Sequence, residues 1–427
     1  MTTTKNNEHK KLNFSSEREQ SQVCLNSAEH EKNQGRKVLN VPNLRFKEFQ
    51  GKWNMCKLGD IAIVVGGGTP DTNTSQYWNG KIQWFTPSEI GRNKYVDNSV
   101  RTISEEGLNK SSAKLLPIGT ILLSSRATVG ECSINKKECT TNQGFQSLIP
   151  KENISNEFVY YLIQTKRKDL IRKSCGSTFL EISANEVRKI VISIPTIKEQ
   201  DKIANVLSFL DERIATQNKI IDKLQSLIKG ICNNYFEKLS VQEKANLIRL
   251  SDVLKERNEY SSKDGKFIHG TLSKDGIFPK TGRWDRDFLV KQEDKKYKVT
   301  HLDDICYNPA NLKFGVICRN TFGDLIFSPI YVTFEVCKNV NIGFMELYLT
   351  NHNFIEKVRR FEQGTVYERM AVSPEDFLSS KIRIPSYSDQ TFFYKKVQWL
   401  ITLSQNEMKL LSQYKKLRQY LLRQMFI

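Results

Sequence analysis

The sequence predicts an α+β protein in which two globular domains are joined by two long antiparallel helices forming a coiled coil, with a pseudo-two-fold internal repeat. Three observations carry this. Ser183 to Phe236 and Ser373 to Phe426 lie over each other without a gap at an offset of 190, anchored by Ser183/Ser373, Pro195/Pro385, Gln200/Gln390, Leu210/Leu400 and Phe236/Phe426. In each copy a short alternating strand ends in Ile-Pro and is followed by about 40 residues without proline and with Gly230 as the one glycine. Proline cannot lie inside a helix, so a helix starts just after each Ile-Pro. Upstream of each helix, some 140 to 150 residues alternate at period two and are broken by Gly, Pro and Asn, the pattern of an α+β domain.

Taken in order, residues 1–40 are polar and rich in Lys, Glu, Asn and Ser, and are expected to be a disordered extension. Residues 41–195 are read as the first globular domain, 196–245 as the first long helix, 246–385 as the second domain and 386–427 as the second long helix. In the first helix Ile214, Ile221, Ile228 and Tyr235 fall seven apart, with Gln217, Leu224 and Ile231 between them, a heptad seam with one polar interruption. In the second, Leu410, Tyr414, Leu417 and Leu421 make the face, with Lys409, Lys415, Lys416, Arg418 and Arg423 around it. A helix of roughly 40 residues is about 60 Å long and cannot bury such a stripe alone, so each copy is the natural partner of the other. The first helix must deliver the chain to the second domain and the second must run back, which makes the pair antiparallel and the assembly a ruler. Echoes of the repeat continue upstream, with Cys56–Ile61 against Ile248–Val253 and Gly176–Phe179 against Gly364–Tyr367.

At 427 residues the chain exceeds what one core supports, and 39% hydrophobic residues exclude global disorder. The 65 Lys and Arg against 47 acids give a net charge of +18, which points to a polyanionic partner, nucleic acid ahead of a membrane surface. The sequence lacks an apolar run of about 18 residues and a signal-peptide core, so a soluble cytoplasmic protein is expected. Nine cysteines without a CxxC pair favour neither a disulfide framework nor a zinc cluster; Cys306 and Cys337 read as small buried hydrophobes.

Catalytic signals are thin. Gly66-Gly67-Gly68-Thr69-Pro70 is followed by Asp71 and Asn73 rather than a lysine and a helix, which makes it a turn, not a phosphate loop. Tyr307-Asn308-Pro309-Ala310 lacks the second proline and the aromatic of an amino-methyltransferase motif. His9, His30, His269, His301 and His352 have no paired spacing, and Glu293-Asp294-Lys295 lies in a solvated charge run. No metal site and no cofactor are expected in this chain.

Binding features are richer. Lys166, Arg167, Lys168, Arg172 and Lys173 form a cationic cluster beside the polar turn of Gly176 and Ser177, suited to phosphates. Its counterpart is Lys357, Arg359 and Arg360 before Gly364, Tyr367 and Arg369. Tyr77, Trp78, Lys81, Gln83 and Trp84, then Arg92, Asn93 and Lys94, then Arg283, Trp284 and Arg286, mix planar donors with aromatics, and Arg, Asn and Gln can make two-pronged contacts to base edges. Arg126, Gln143 and Lys313 complete the set of candidate DNA contacts.

The chain resembles the specificity subunits of type I restriction-modification systems. The resemblance rests on Val41-Pro42-Asn43-Leu44-Arg45-Phe46, Gly51-Lys52-Trp53, Leu58-Gly59-Asp60, GGTP with YWNGKIQW, Ser125-Arg126 through Gly130, Asn142-Gln143-Gly144-Phe145, and IPTIKEQDKIA with Leu210-Asp211 downstream. The second copy departs from it, with Leu400-Ile401 where Leu-Asp is expected. The resemblance implies a non-catalytic subunit whose domains are target recognition domains, each reading half of a split double-stranded DNA sequence while the helices set the spacer. It also implies two methyltransferase subunits and two translocase-nuclease subunits as partners, to which S-adenosylmethionine, ATP and Mg2+ would belong. The residues alone leave open a DNA-modifying enzyme with its own centre and a coiled-coil scaffold with no nucleic-acid role.

Overall fold

The computed structural model describes residues 40–176, 180–243, 245–262, 266–274, 276–280, 296–362 and 371–427; the expected N-terminal extension lies outside them but for its last residue. Two compact units emerge, Met1–Arg213 together with Tyr414–Ile427, and Ile214–Gln413. The sequence sets the helices apart from the domains. In the structure each unit instead takes in one end of both helices, because the apolar faces at those ends are buried in the domain cores.

The first unit runs β1 (Asn54–Lys57), α1 (Leu58–Ile61), β2 (Ala62–Gly66), β3 (Trp78–Phe85), β4 (Tyr95–Val96), β5 (Arg101–Ile103), α2 (Glu105–Asn109), β6 (Ile121–Leu123), β7 (Cys132–Asn135), β8 (Cys139–Thr141), β9 (Gln146–Pro150), α3 (Asn156–Thr165), α4 (Arg167–Arg172), α5 (Ala184–Arg188), β10 (Val191–Ile194) and the first part of α6 (Ile197–Val241). Its sheets have the orders β2-β9-β6-β7-β4, β5-β3-β8 and β1-β10. α3 is buried on nearly every side, with Phe158 to Ile163 all in the core, so it is the central post of the unit.

The second unit continues from α6 through β11 (Asn246–Arg249), β12 (Leu254–Glu256), β13 (Tyr260–Ser261), β14 (Ile268–Ser273), β15 (Gly276–Pro279), β16 (Tyr297–Thr300), β17 (Ile305–Tyr307), β18 (Ile317–Arg319), β19 (Leu325–Phe327), β20 (Val332–Val336), α7 (Ile342–Leu349), α8 (His352–Arg359), α9 (Pro374–Ser379), β21 (Lys381–Ile384) and most of α10 (Tyr387–Gln424). Its sheets have the orders β12-β20-β17-β18, β13-β16-β19-β14-β15 and β11-β21.

The duplication is written in hydrogen bonds. β1 pairs with β10 from Asn54↔Ile194, and β11 with β21 from Asn246↔Ile384. The Lys57 and Arg249 amides donate to Asp60 and Asp252 at 2.7 and 2.8 Å, which matches the echo between Cys56–Ile61 and Ile248–Val253. Ser183 and Ser373 cap the short helices before each closing strand. At each long helix a glutamine is the hinge pin. Gln200 Nε2 donates to Pro195 O at 3.0 Å while its Oε1 accepts the Ser155 amide at 3.0 Å; Gln390 does the same with Pro385 O and the Asn341 amide, both at 2.9 Å. Ser155 and Asn341 are the residues that precede α3 and α7, so each glutamine fixes its helix to the post of its domain.

Within the first unit the start of α6 meets the end of α10, where Phe426 stacks on Phe158 at 5.1 Å. Within the second, the end of α6 meets the start of α10, where Tyr235 stacks on Phe393 at 3.7 Å and Phe236 packs on Phe344 and Tyr348. Both contacts demand antiparallel helices. Each fully buried aromatic of this kind contributes about 1.5–3 kcal/mol over an exposed one. The seam of α6 is as expected, with Gln217 and Ile221 buried and Ile214, Leu224, Ile228, Ile231 and Tyr235 half-buried. In α10 the expected Leu417 is 45% exposed; its neighbour Arg418 turns inward because Asp211 is there to receive it. Cys306 is buried with its thiol pushed well up by desolvation, whereas Cys337 is half-buried at the end of β20.

Candidate nucleic-acid interface

In the first unit, three loops are laced together at the ends of β3, β6 and β8. The Ser124–Gly130 turn is closed by Gly130 N–H to Ser124 O at 3.1 Å, with Ala127 in the left-handed region at φ 62°. The Ser125 amide donates to Gly144 O at 2.8 Å, the Asn142 amide to Phe85 O at 3.0 Å, and Asn142 Oδ1 accepts the Gly144 amide at 2.9 Å. Thr69 Oγ1 donates to Gln143 Oε1 at 2.5 Å, which brings the glycine run to the same place. The result is an open cleft of about 310 Å³ lined by Pro87, Arg126, Ala127, Asn142, Gln143 and Gly144. The glycine run is packed rather than cradling. A Cβ on Gly67 would lie 2.0 Å from Asn142 O, and one on Gly68 would lie 2.2 Å from Ser112 Oγ.

Arg126 and Gln143 therefore share one cleft, and both are exposed. Arg126 is held loosely, 3.9 Å from Glu181, and its strand-like bridge to Glu181 ties the turn to the segment before α5. Asn142 is not marked as a contact by its own sequence signal, although it stands in the motif that contains Gln143. Planar donors and acceptors on rigidly tied loops are the equipment for reading base edges.

The cationic cluster is more committed than its sequence suggests. Arg167 pairs with Glu131 at 2.7 Å, Arg172 with Asp169 at 2.8 Å and Lys173 with Glu186 at 3.3 Å, while Lys166 Nζ donates to Ile427 O at 2.8 Å. Among the described residues Lys81, Arg92 and Lys168 are exposed and make no side-chain hydrogen bond or ion pair. The existing pairs are exposed and weak, so a phosphate can compete for those cations at little cost. Asn93 stands exposed beside Arg92, and its carbonyl accepts Ser133 Oγ at 2.7 Å. Gln83 is engaged internally, its Oε1 accepting the Ser99 amide at 2.7 Å.

Two expectations change. Trp78 and Trp84 are 8% and 4% exposed and meet edge to face at 5.1 Å, so they form a core behind β3 rather than a stacking surface. The sequence missed Arg101, whose guanidinium lies 3.5 Å above Trp78 on the outer side of that core; nothing but its place in β5 reveals this. Lys94 also turns inward, to Glu157 at 2.8 Å and toward the Tyr161 ring, so it is a strut.

In the second unit Lys313 is exposed beside Phe314, and Arg360 lies over Phe361 at 5.1 Å. Lys357 donates to Lys381 O at 3.0 Å, and burial with nearby Arg360 holds its pKa below the ordinary lysine range. Arg359 grips Glu356 at 2.8 and 2.9 Å and Glu362 at 3.2 Å. Ser177, Arg283, Trp284, Arg286, Gly364, Tyr367, Arg369 and the Glu293-Asp294-Lys295 run lie outside the described residues. Among the described residues no group of His, Cys, Asp and Glu is placed to hold a metal ion, and no helix is long and apolar enough to cross a membrane.

Residues 50–226 match the family described as the type I restriction modification DNA specificity domain. The chain is 38% identical over 188 residues to the type I restriction enzyme MjaIX specificity subunit of Methanocaldococcus jannaschii, covering 43% of this chain and 44% of that one. Over residues 50–226 the chain is similar to type I restriction-modification specificity subunits. A second specificity subunit, that of EcoR124I/EcoR124II from Escherichia coli, is 34% identical over 175 residues, 39% of this chain and 43% of that one. Each match thus spans less than half of the relative's length. The fold extends the likeness. The S subunit of a type I restriction-modification system from M. genitalium superposes with a TM-score of 0.56 at 17% identity, covering 91% of this chain and 99% of that chain. A chain from a structural study of complex assembly and conformational transition of the type I system gives 0.56 at 14% identity, covering 88% and 98%. At these identities the likeness speaks for the fold.

Proposed function

We propose that this chain is the DNA-recognition subunit of a type I restriction-modification complex, working in the cytoplasm beside the DNA it reads. Each globular domain, 41–195 and 246–385, reads one half of a bipartite double-stranded target, and the two long helices, 196–245 and 386–427, fix the spacer between the halves. The observation that carries this reading is the duplicated frame: Gln200 and Gln390 tie two long helices to two domains by the same pair of hydrogen bonds, while the loops on the two domains differ. Shared scaffold with divergent loops is what a reader of two different half-sites needs.

The chain itself contributes recognition, not bond making. Lys81, Arg92 and Lys168 suit phosphate contacts, and Arg126, Asn142 and Gln143 suit base edges. Two methyltransferase subunits dock on it and two translocase-nuclease subunits join them; S-adenosylmethionine, ATP and Mg2+ are used by those partners. The test is methylome sequencing of cells with and without this chain. Methylation at one split sequence that disappears with the chain supports the reading. Methyl transfer by the purified chain alone, or an unchanged methylome, would overturn it.

A further inference from the structure

The repeat allows every helix contact to be compared with its counterpart 190 residues away. In the first unit Asp211 receives Arg418 Nε, accepts the Tyr161 hydroxyl at 2.7 Å, and shares Arg418 with Gln164, whose Oε1 accepts Nη2 at 2.9 Å. The counterparts of Asp211 and Arg418 are Ile401 and Ile228, and both pack against the core of the second unit. Matching the residues that precede α3 and α7 makes Leu347 the counterpart of Tyr161, and it joins the same apolar core. One polar network thus stands where its repeat is greasy. A third contact lies between them in sequence: Gln217, 4% exposed, donates to Glu407, its own counterpart.

We propose that these layers are a pairing code that admits only the first helix copy against the second, and rejects either copy against its like from another molecule of this chain. Pairing two first copies would set Ile228 where Arg418 belongs and leave Asp211, with the Tyr161 hydroxyl, without its cation. Pairing two second copies would press Arg418 onto Ile401 and bring Glu407 against Glu407. A charge stripped of its partner at a half-buried position is strongly unfavourable, whereas the apolar layer alone would accept either arrangement. A single polar pair in an otherwise apolar helix seam is a known means of fixing partner and register.

The test uses the full chain, folded and then cut once at a protease site placed between Glu243 and Ala245. Isotope-labelled and unlabelled nicked proteins are mixed in mild urea, returned to buffer, and the fragment pairs counted by native mass spectrometry. Wild type should return only unlike pairs, with like pairs at least about tenfold below their statistical share. Asp211→Ile with Arg418→Ile, which copies the second unit's layer into the first, should let pairs of N-terminal fragments rise severalfold. Should that variant fail to fold, Asp211→Asn keeps shape while removing the charge, and should raise the same pairs. Like pairs at their statistical share in wild type, or folded variants as selective as wild type, would overturn the proposal.

Discussion

Arg45 and Glu199 close a two-pronged ion pair across 154 residues of sequence, with Nε and Nη2 each 2.8 Å from a carboxylate oxygen. Glu199 is 1% exposed and also accepts Trp53 Nε1 at 3.2 Å. Its counterpart in the second copy, Asp389, sits at the surface and pairs with Ser386 at the start of its helix. Arg45→Ala should therefore cost roughly 3 kcal/mol of stability by stranding a buried carboxylate, while Asp389→Asn should cost less than about 1 kcal/mol. Urea denaturation of both variants measures the difference.

Trp84 belongs to the core and not to the binding surface. Trp84→Ala should destabilise by about 3–5 kcal/mol, since it empties a buried site and orphans the Gly68 carbonyl that Nε1 meets at 2.9 Å. Lys81→Ala on the same strand should leave the melting temperature unchanged.

The free cations should dominate phosphate contact. Replacing Lys81, Arg92 and Lys168 together by Ala should flatten the log-log dependence of DNA affinity on salt by up to about 0.9 for each phosphate that is no longer neutralised. The same titration on Arg172→Ala, whose guanidinium already holds Asp169, should show a smaller change. Equal slopes for all variants would remove these side chains from the interface.

His301 lies between two carboxylates, with Nε2 2.9 Å from Glu259 and Nδ1 2.8 Å from Asp324. The bond to Glu259 chiefly raises its pKa above the ordinary 6.5, against the opposing pull of burial and Arg257. A raised value means the folded state holds the proton more tightly. Its contribution is complete below about pH 6.5 and is lost as pH climbs through the raised value. The urea midpoint of wild type should thus fall as pH rises from about 6.5 through the raised value, and His301→Gln should flatten that fall.

If the helices set the spacer, inserting four residues beside Gln217 and four beside Glu407 should lengthen the recognised spacer by one or two base pairs, since four helical residues rise about 6 Å and base pairs stack about 3.4 Å apart. The half-site bases should stay the same. Methylome mapping that returned the old spacer with new bases would reverse the division of labour between helices and domains.

The long helices are legible because proline, glycine and heptad spacing are local signals, and the repeat is legible because Gln200 and Gln390 need identical surroundings. What stays hidden depends on partners far away in sequence. By its neighbours in the chain Arg418 is one more cation around an apolar face, and Asp211 with Gln164 turns it inward; Trp84 has the look of a surface aromatic, and Gly68 and Trp78 enclose it. The cleft residues are visible as types but not as neighbours. Only hydrogen bonds between loops place Thr69, Arg126 and Gln143 together.

The helix ends that complete the two cores also set the order in which the chain can mature on the ribosome. The first unit needs Met425 and Phe426 to cover Phe158, yet these are synthesised only after the whole of the second unit, Ile214–Gln413. Until then Phe158 lacks the Phe426 ring that stacks on it, a contact of very long range and so a slow one to form. A nascent chain stalled within the second unit would display that apolar surface, and the first unit would be a client for chaperones rather than a finished domain.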